Sequence, residues 1–530
     1  MISFQKLDNF TENLRNQIIN NNDYILITDK LNIDSAIRHC LLSKVIQKKI
    51  NSNILVLADK KKHLSLKIYE IFNIKNIHIS FEFKYLFYNI FFTIYALLTY
   101  LSLVFKFTIG KNPCDDFINN FKFYNVHVGD LIYDTYIRKN HGYLNFNIFN
   151  LKFLKIFFIT FFRLKKIQSL FNLHKIKVVI SSCKAFNFGG NLAIRYASKM
   201  GCKVYQHADL FFREINSYDI CLDNIFKVYK EELSNFKKNE DKKNIDNFIN
   251  DRFFKNNPGN YVQKHTFQKV WTNSKDIKKK DFIQKLTKDS DIIIKDNSLL
   301  NLIALNCFSD CPRSMFKNGI FIFQDYYDFF VKSIEEISKL DKKNIWLIKP
   351  HPENLSYNEG GLIESLLEKY KLANVFICPE NISNIDYFNI IDNLITARST
   401  IALEYACFGA KPIICGSTSF SSLGFTHEPQ NINEYFNILK NFDFTNKLTE
   451  DEKDNARATL YILDHFKMSH VKKSIILPQR KEFLNIDKKL FNDEYLKKLN
   501  FNLDNNKVNN FFEDPYYKNL EFLVKNLSKM

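Results

Sequence analysis

The stretch DNLITARSTIALEYACFGAKPIIC, Asp392 to Cys415, decides the fold class. An apolar run, Leu394 to Thr396, passes through the polar turn Ala397-Arg398-Ser399-Thr400 into a helical segment that Gly409 and Pro412 stop, and a second apolar run, Ile413 to Cys415, follows. Strand, crossover helix and strand in this order make a βαβ unit, whose strands lie parallel in one sheet with helices over its faces. In open sheets of this kind ligands bind beyond the carboxyl ends of the strands, which is where the polar turn falls. Ser399 is suited to cap the helix, leaving the amides of Thr400, Ile401 and Ala402 as donors beside the positive end of the helix dipole. Arg398 adds a permanent charge, and Glu404, about one turn into the helix, can accept hydrogen bonds from sugar hydroxyls.

Moving toward the N-terminus, NIWLIKPHPEN (Asn344 to Asn354) is a continuous apolar strand that runs straight into Lys349, Pro350, His351, Pro352 and Glu353. The two prolines prevent both strand pairing and immediate helix formation, so Lys349 and His351 are held in a stiff, extended loop at a strand end. Such a pair suits a phosphate, each residue offering a charge-assisted hydrogen bond. Further upstream, NCFSDCPRSMF (Asn306 to Phe316) follows another apolar strand and puts Ser309 and Asp310 at the same edge. Asp310 is a candidate base, or the start of an Asx turn leading into Pro312. Strands and helices alternate from Leu299 to Cys415, and the last hundred residues read as mostly helical.

The N-terminal half repeats the theme. Tyr24 to Thr28, Ile54 to Ala58 and Ile77 to Ile79 are apolar runs separated by helical stretches, and Val178 to Ser181 and Lys203 to Gln206 resume the pattern. No GxGxxG stands at the first turn, so a dinucleotide is not expected there. Gly129 and Asp130 follow an apolar segment, and His207 and Asp209 follow a strand; Asp130 or Asp209 could supply a base. Between these parts lies an apolar and basic insertion, residues 84–170. Its core, YLFYNIFFTIYALLTYLSLVF (Tyr85 to Phe105), is uncharged and long enough to cross a bilayer, to lie in the membrane interface or to be buried in the protein. Asn145 to Gln168 has the composition of a basic amphipathic surface helix or of a Phe-rich core helix with a solvated face.

Composition bounds the function. The chain has 530 residues, 46% hydrophobic and 25% charged, which excludes wholesale disorder and a polytopic membrane protein. Its net charge of +18 suits an anionic partner: nucleic acid, a membrane surface or a phosphorylated small molecule. The basic residues are dispersed with no recognition motif, which argues against nucleic acid. The ten cysteines are scattered without zinc spacing and read as reduced core thiols of a cytosolic protein, and MISFQKLDNFTENLRNQ lacks the apolar core of a secretory signal.

FSD followed by QDYYDFF, then IKPHP, ITARSTIALEYACFGAKPII and SSLGFTHEPQ, with GDLIYDTYIR in the first half, resemble the ordered motifs of the capsule polysaccharide biosynthesis family of bacterial glycosyltransferase-like proteins. The likeness is densest from Leu299 to Gln430. It implies two facing Rossmann-like domains of the GT-B type with a helical C-terminal region. Residues 1–285 would be the acceptor domain and residues 286–530 the nucleotide-sugar donor domain. The resemblance carries donor binding to His351, Pro352, Ser399 and Thr400, with Lys349, Arg398 and Glu404 beside them, and leaves Asp310, His351, Asp130 and Asp209 as candidates for catalysis. The implied activity is a metal-independent glycosyltransferase with no cofactor beyond its nucleotide-sugar substrate. It would build capsule, lipopolysaccharide or a related surface glycan on a glycan or lipid-linked acceptor, in the cytoplasm at the inner face of the membrane. A nucleotide-sugar epimerase, a polyol-phosphate transferase and a non-catalytic glycan-binding scaffold are the alternatives.

Overall fold

In the computed structural model the apolar runs become the strands of two sheets. The residues described are 23–463, apart from 30–31, 62, 83–89, 111, 142–143, 145, 182–185, 187–188, 209–210, 216–226, 255–276, 289–297, 315–320, 380–381 and 442–446, together with 493–494, 497–498, 518 and 520. They divide into two compact units, the first holding residues 23–141 and 146–215 with the C-terminal residues, the second Leu144 and residues 227–463.

In the first unit the order is β1 (Asp23–Thr28), α1 (Ile33–Ile50), β2 (Asn53–Ala58), α2 (Leu64–Ile71), β3 (Ile77–Ile79), α3 (Ile90–Ile109), α4 (Pro113–Asn120), β4 (Lys122–Phe123), β5 (Val126–His127), α5 (Gly129–Asn140), α6 (Leu151–Leu173), β6 (Lys175–Ser181), α7 (Gly189–Lys199), β7 (Lys203–Ala208) and β8 (Phe211–Ile215). Its main sheet has the order β3-β2-β1-β6-β7-β8 and is parallel except for β8, which runs back along β7. β1 lies at the centre and is apolar and buried from Tyr24 to Ile27, as a strand covered on both faces must be.

The second unit adds α8 (Lys230–Asn239), α9 (Lys242–Phe254), α10 (Lys279–Leu286), β9 (Leu300–Ala304), α11 (Tyr326–Ile337), β10 (Ile345–Lys349), α12 (Leu362–Tyr370), β11 (Val375–Ile377), α13 (Asn384–Ile390), β12 (Asn393–Thr396), α14 (Ile401–Cys407), β13 (Ile413–Ile414), α15 (Ile432–Lys440) and α16 (Glu450–Tyr461). Its sheet, β11-β10-β9-β12-β13, is parallel throughout. Two α/β units on parallel sheets are the Rossmann-like architecture expected.

The change of unit falls before Lys227 and not at residue 285. Leu233, Ile249, Phe253, Phe282 and Ile283 of α8, α9 and α10 share one apolar core with Leu300, Leu302 and Leu347 of the second sheet. These helices are polar outside and carry only a few apolar positions each, so their allegiance is set by a core they do not neighbour in sequence. Leu520 belongs to the same apolar core as Ile27, Ile37 and Val56 of the first unit. The remainder of the expected helical C-terminus beyond residue 463 lies largely outside the described residues.

The insertion resolves into two kinds of helix. α6 buries Phe153, Phe157, Phe161 and Leu164, so it is a core helix with a solvated basic face. α3 buries only Ala96 and Leu103. Six of the eight described cysteines, Cys307 among them, are buried and all eight are free thiols.

Candidate functional site

The register of the second sheet brings its strand ends level. Lys349 pairs with Ala304 and Ala304 with Thr396, so the chain leaves β10, β9 and β12 at one edge. β10 and β11 lie to one side of β9 and β12 and β13 to the other, which makes the gap between β9 and β12 the switch point where open α/β sheets hold ligands. Asn306 straddles this gap: its Nδ2 donates to the Arg398 carbonyl and its Oδ1 accepts from the Arg398 amide, each at 3.4 Å. The Leu305 amide donates to the Lys349 carbonyl at 3.0 Å and ties in the third loop.

His351 sits in that third loop between two prolines. Its Nδ1 accepts the Glu353 amide at 3.1 Å and lies 3.2 Å from Cys307 Sγ. An amide can only donate, so Nδ1 is unprotonated and the neutral ring carries its proton on Nε2. Burial pushes the ring's pKa below the ordinary histidine value, against the upward pull of Asp310 and Glu353. At neutral pH the side chain is therefore an uncharged Nε2–H donor. Cys307 is 3% exposed, a packing neighbour of the ring and not an accessible nucleophile.

Two carboxylates fix the loops to each other. Glu359, 2% exposed, accepts the amides of Phe308 and Ser309 at 2.8 and 2.9 Å and the Ser309 hydroxyl at 2.8 Å. Asp310 is exposed and accepts the Tyr357 hydroxyl at 2.9 Å. Glu359 was not singled out in the sequence. The available signal was its setting in NEGG, because Asn358 and Gly361 take positive φ of 57° and 79°, and a tight turn there swings the carboxylate inward. Cys311, directly after Asp310, also adopts positive φ (45°), and Arg313 donates to the carbonyls of Phe321 and Phe323, holding that strand-like segment against the edge.

Arg398 is committed to the scaffold as well as charged. Its Nη1 donates to the Pro312 carbonyl at 2.6 Å and its guanidinium stacks 4.4 Å from the centre of the Phe321 ring. The space it fills is left by Gly416, where a Cβ would stand 2.4 Å from Arg398 Nε. Ser399 and Thr400 are half-buried at the same edge, but Thr400, not Ser399, is the capping residue of α14, and its side chain makes no cap hydrogen bond. The Ala402 amide donates to the Ser399 carbonyl, so it is not one of the spare donors expected. Lys349 closes β10 with its Nζ 4.6 Å from the Tyr387 ring centre, and burial lowers its pKa. Pro352 is half-buried beside His351.

Two expected site residues are committed to ion pairs instead. Glu404 is buried and bonded to Arg252 of α9 at 2.9 Å, so a sugar contact is not open to it without breaking that pair. Asp130 lies in the first unit, 2% exposed, with its two carboxylate oxygens 2.7 and 2.8 Å from the Arg195 guanidinium and Oδ1 2.9 Å from His127 Nδ1. Burial alone would raise its pKa, but Arg195 and His127 outweigh it and hold the carboxyl well below the carboxylate range. A group so placed is a framework ion, not a base. Asp209 lies outside the described residues. Among the described residues no cluster of three or more His, Cys, Asp or Glu is placed to hold a metal ion.

No protein-family model matches the sequence, and no curated protein matches it. Solved structures it is similar to include the β-Kdo 2,4 transferase of KpsC from Thermosulfurimonas dismutans, at 14% identity and TM-score 0.32 over 54% of this chain and 79% of that one. Others are the S. aureus MnaA–UDP co-structure, at 11% identity and TM-score 0.28 over 84% and 96%, and a glycosyltransferase from Rickettsia africae, at 11% and 0.24 over 92% and 100%. Likenesses of this size assign no activity to the chain.

Proposed function

We propose that the protein transfers a sugar from a nucleotide-sugar donor to a surface-glycan acceptor, glycan or lipid-linked, in the synthesis of capsule, lipopolysaccharide or a related polysaccharide at the cytoplasmic face of the membrane. The observation that carries the reading is His351, a neutral Nε2–H donor locked by its Nδ1 contacts at the carboxyl edge of a parallel sheet, one loop from the switch point. The order of the FSD, IKPHP and ARST motifs supports it.

In this mechanism the bond between the anomeric carbon and the donor phosphate breaks as the acceptor oxygen bonds to that carbon. The His351 Nε2–H and the Lys349 ammonium meet the charge that grows on the leaving phosphate, and no divalent ion is required. Arg398 and Asn306 hold the two loops at the separation the phosphate needs. Asp310, exposed at this edge, takes the acceptor's proton.

The test is turnover of a nucleotide-sugar panel by the full chain, with and without acceptor glycan. Nucleotide release that requires an acceptor is expected, with His351→Ala lowering turnover by about 100-fold at unchanged melting temperature and His351→Gln, which keeps a donor, recovering part of it. Conversion of the donor without an acceptor would overturn the transferase in favour of an epimerase, and equal turnover by His351→Ala would remove the site.

A further inference from the structure

Helix α3 presents large apolar side chains to solvent along its whole length. Phe91, Ile94, Leu98, Leu101, Phe105 and Ile109 recur every three or four residues and are 49–82% exposed, forming one stripe on a helix about 30 Å long. Only 17% of its most apolar stretch is buried, which is far from the pattern of a core helix.

The opposite face is bound to its own unit. Ala96 and Leu103 are buried, the rings of Tyr95 and Tyr100 pack 5.6 Å from those of Phe161 and Phe157 in α6, and the Tyr100 hydroxyl donates to the Ile148 carbonyl at 2.9 Å. A helix held along one side in this way cannot stand across a bilayer without stripping those contacts, whereas it can lie in the plane of one. The Tyr100–Ile148 bond also brings a second apolar segment alongside, where Phe149 and Leu151 are 61% and 80% exposed.

The charge around this face is predominantly basic. From Ile90 to Leu173 the sequence has ten Lys and Arg against four Asp, and Asp130 and Asp134 are buried, leaving Asp115 and Asp116 on α4 as the exposed acids. Lys106, Lys152 and Lys155 are exposed beside the stripe and its extension. A second copy docking face to face would set like charges against each other. An anionic lipid surface would not.

We propose that this face docks the protein monotopically on an anionic bilayer, with α3 in the interfacial plane, its apolar stripe at the acyl boundary and Lys106, Lys152 and Lys155 among the headgroups. The inference does not depend on the sugar chemistry, since its test needs no nucleotide. Full-length protein is floated with vesicles of phosphatidylcholine alone and of phosphatidylcholine and phosphatidylglycerol in equal parts. Binding to the mixed vesicles, weak binding to the neutral ones and release by alkaline carbonate are expected.

The triple variant Phe91→Ser, Leu98→Ser, Leu101→Ser changes only exposed side chains. It should bind the mixed vesicles about tenfold or more weakly with an unchanged circular-dichroism melt, and Lys152→Glu with Lys155→Glu should remove the preference for anionic lipid. No flotation of the wild type, or wild-type flotation by the triple variant, would overturn the proposal. So would retention through carbonate, which marks a spanning helix. A wild-type dimer that the triple variant turns into a monomer with vesicle binding unchanged would assign the stripe to self-association instead.

Discussion

At the residue scale, the aspartates of the two units show how similar letters take opposite work. Asp310 is exposed and shares one hydroxyl, whereas Asp130 is sealed between Arg195 and His127. Removing one partner of a buried pair strands the other charge, so Asp130→Ala is expected to destabilise the protein by about 3–5 kcal/mol. Asp310→Asn should leave stability within about 0.5 kcal/mol and lower turnover. Thermal melts of the two variants beside their kinetics check this; equal melts would return Asp130 to the list of candidate bases. The same logic makes the Arg252–Glu404 pair a stability element of the second unit.

At the scale of elements, the β12 loop depends on a neighbour one crossover away. Gly416 follows β13, and the volume a side chain would need there is occupied by Arg398 Nε and the Phe321 ring, at 2.4 and 2.8 Å from an added Cβ. Gly416→Ala is therefore expected to push Arg398 off the Pro312 carbonyl and weaken nucleotide binding by about tenfold while β12 and β13 stay paired. Calorimetric affinity and a crystal structure of the variant check it, and unchanged affinity would show that Arg398 has no part in placing the loop.

The interior strands were legible because burial on both faces demands unbroken apolar runs, and IWLI in β10 and ILVLA in β2 satisfy it within a few letters. The His-Pro loop was legible because proline acts locally. The ion pairs were not. Arg195 lies 65 residues from Asp130 and Arg252 lies 152 from Glu404, so nothing near either acid announces its partner. Ser399 looked like a cap by residue type, yet α14 buries all seven of its residues and starts one residue later than its polar turn suggests.

At the scale of the whole molecule, burial favours the neutral form of three of the described histidines. Desolvation lowers the pKa of His78 and His174 in the first unit and of His351 in the second, with nearby lysine charge adding to the first two. An unfolded chain takes up protons near pH 6.5 that the folded one refuses, so stability is whole above that pH and is lost as pH falls toward the lower folded values. Asp130, kept ionised in the fold, adds a second loss starting below its ordinary 3.8. Melting temperature against pH should hold steady from about pH 7 to 8 and decline below about 6.5; a rise on acidification would contradict the neutral assignment of these rings.

Of the net charge of +18, the stretch around α3, residues 90–173, carries +6. The most direct test of the site is calorimetric titration of the full-length protein with CMP, CDP, UDP and GDP. Saturable binding of at least one nucleotide is expected, weakened about tenfold or more in His351→Ala with the fold intact. Binding of none of them, or equal binding by His351→Ala, would contradict a nucleotide site at this sheet edge.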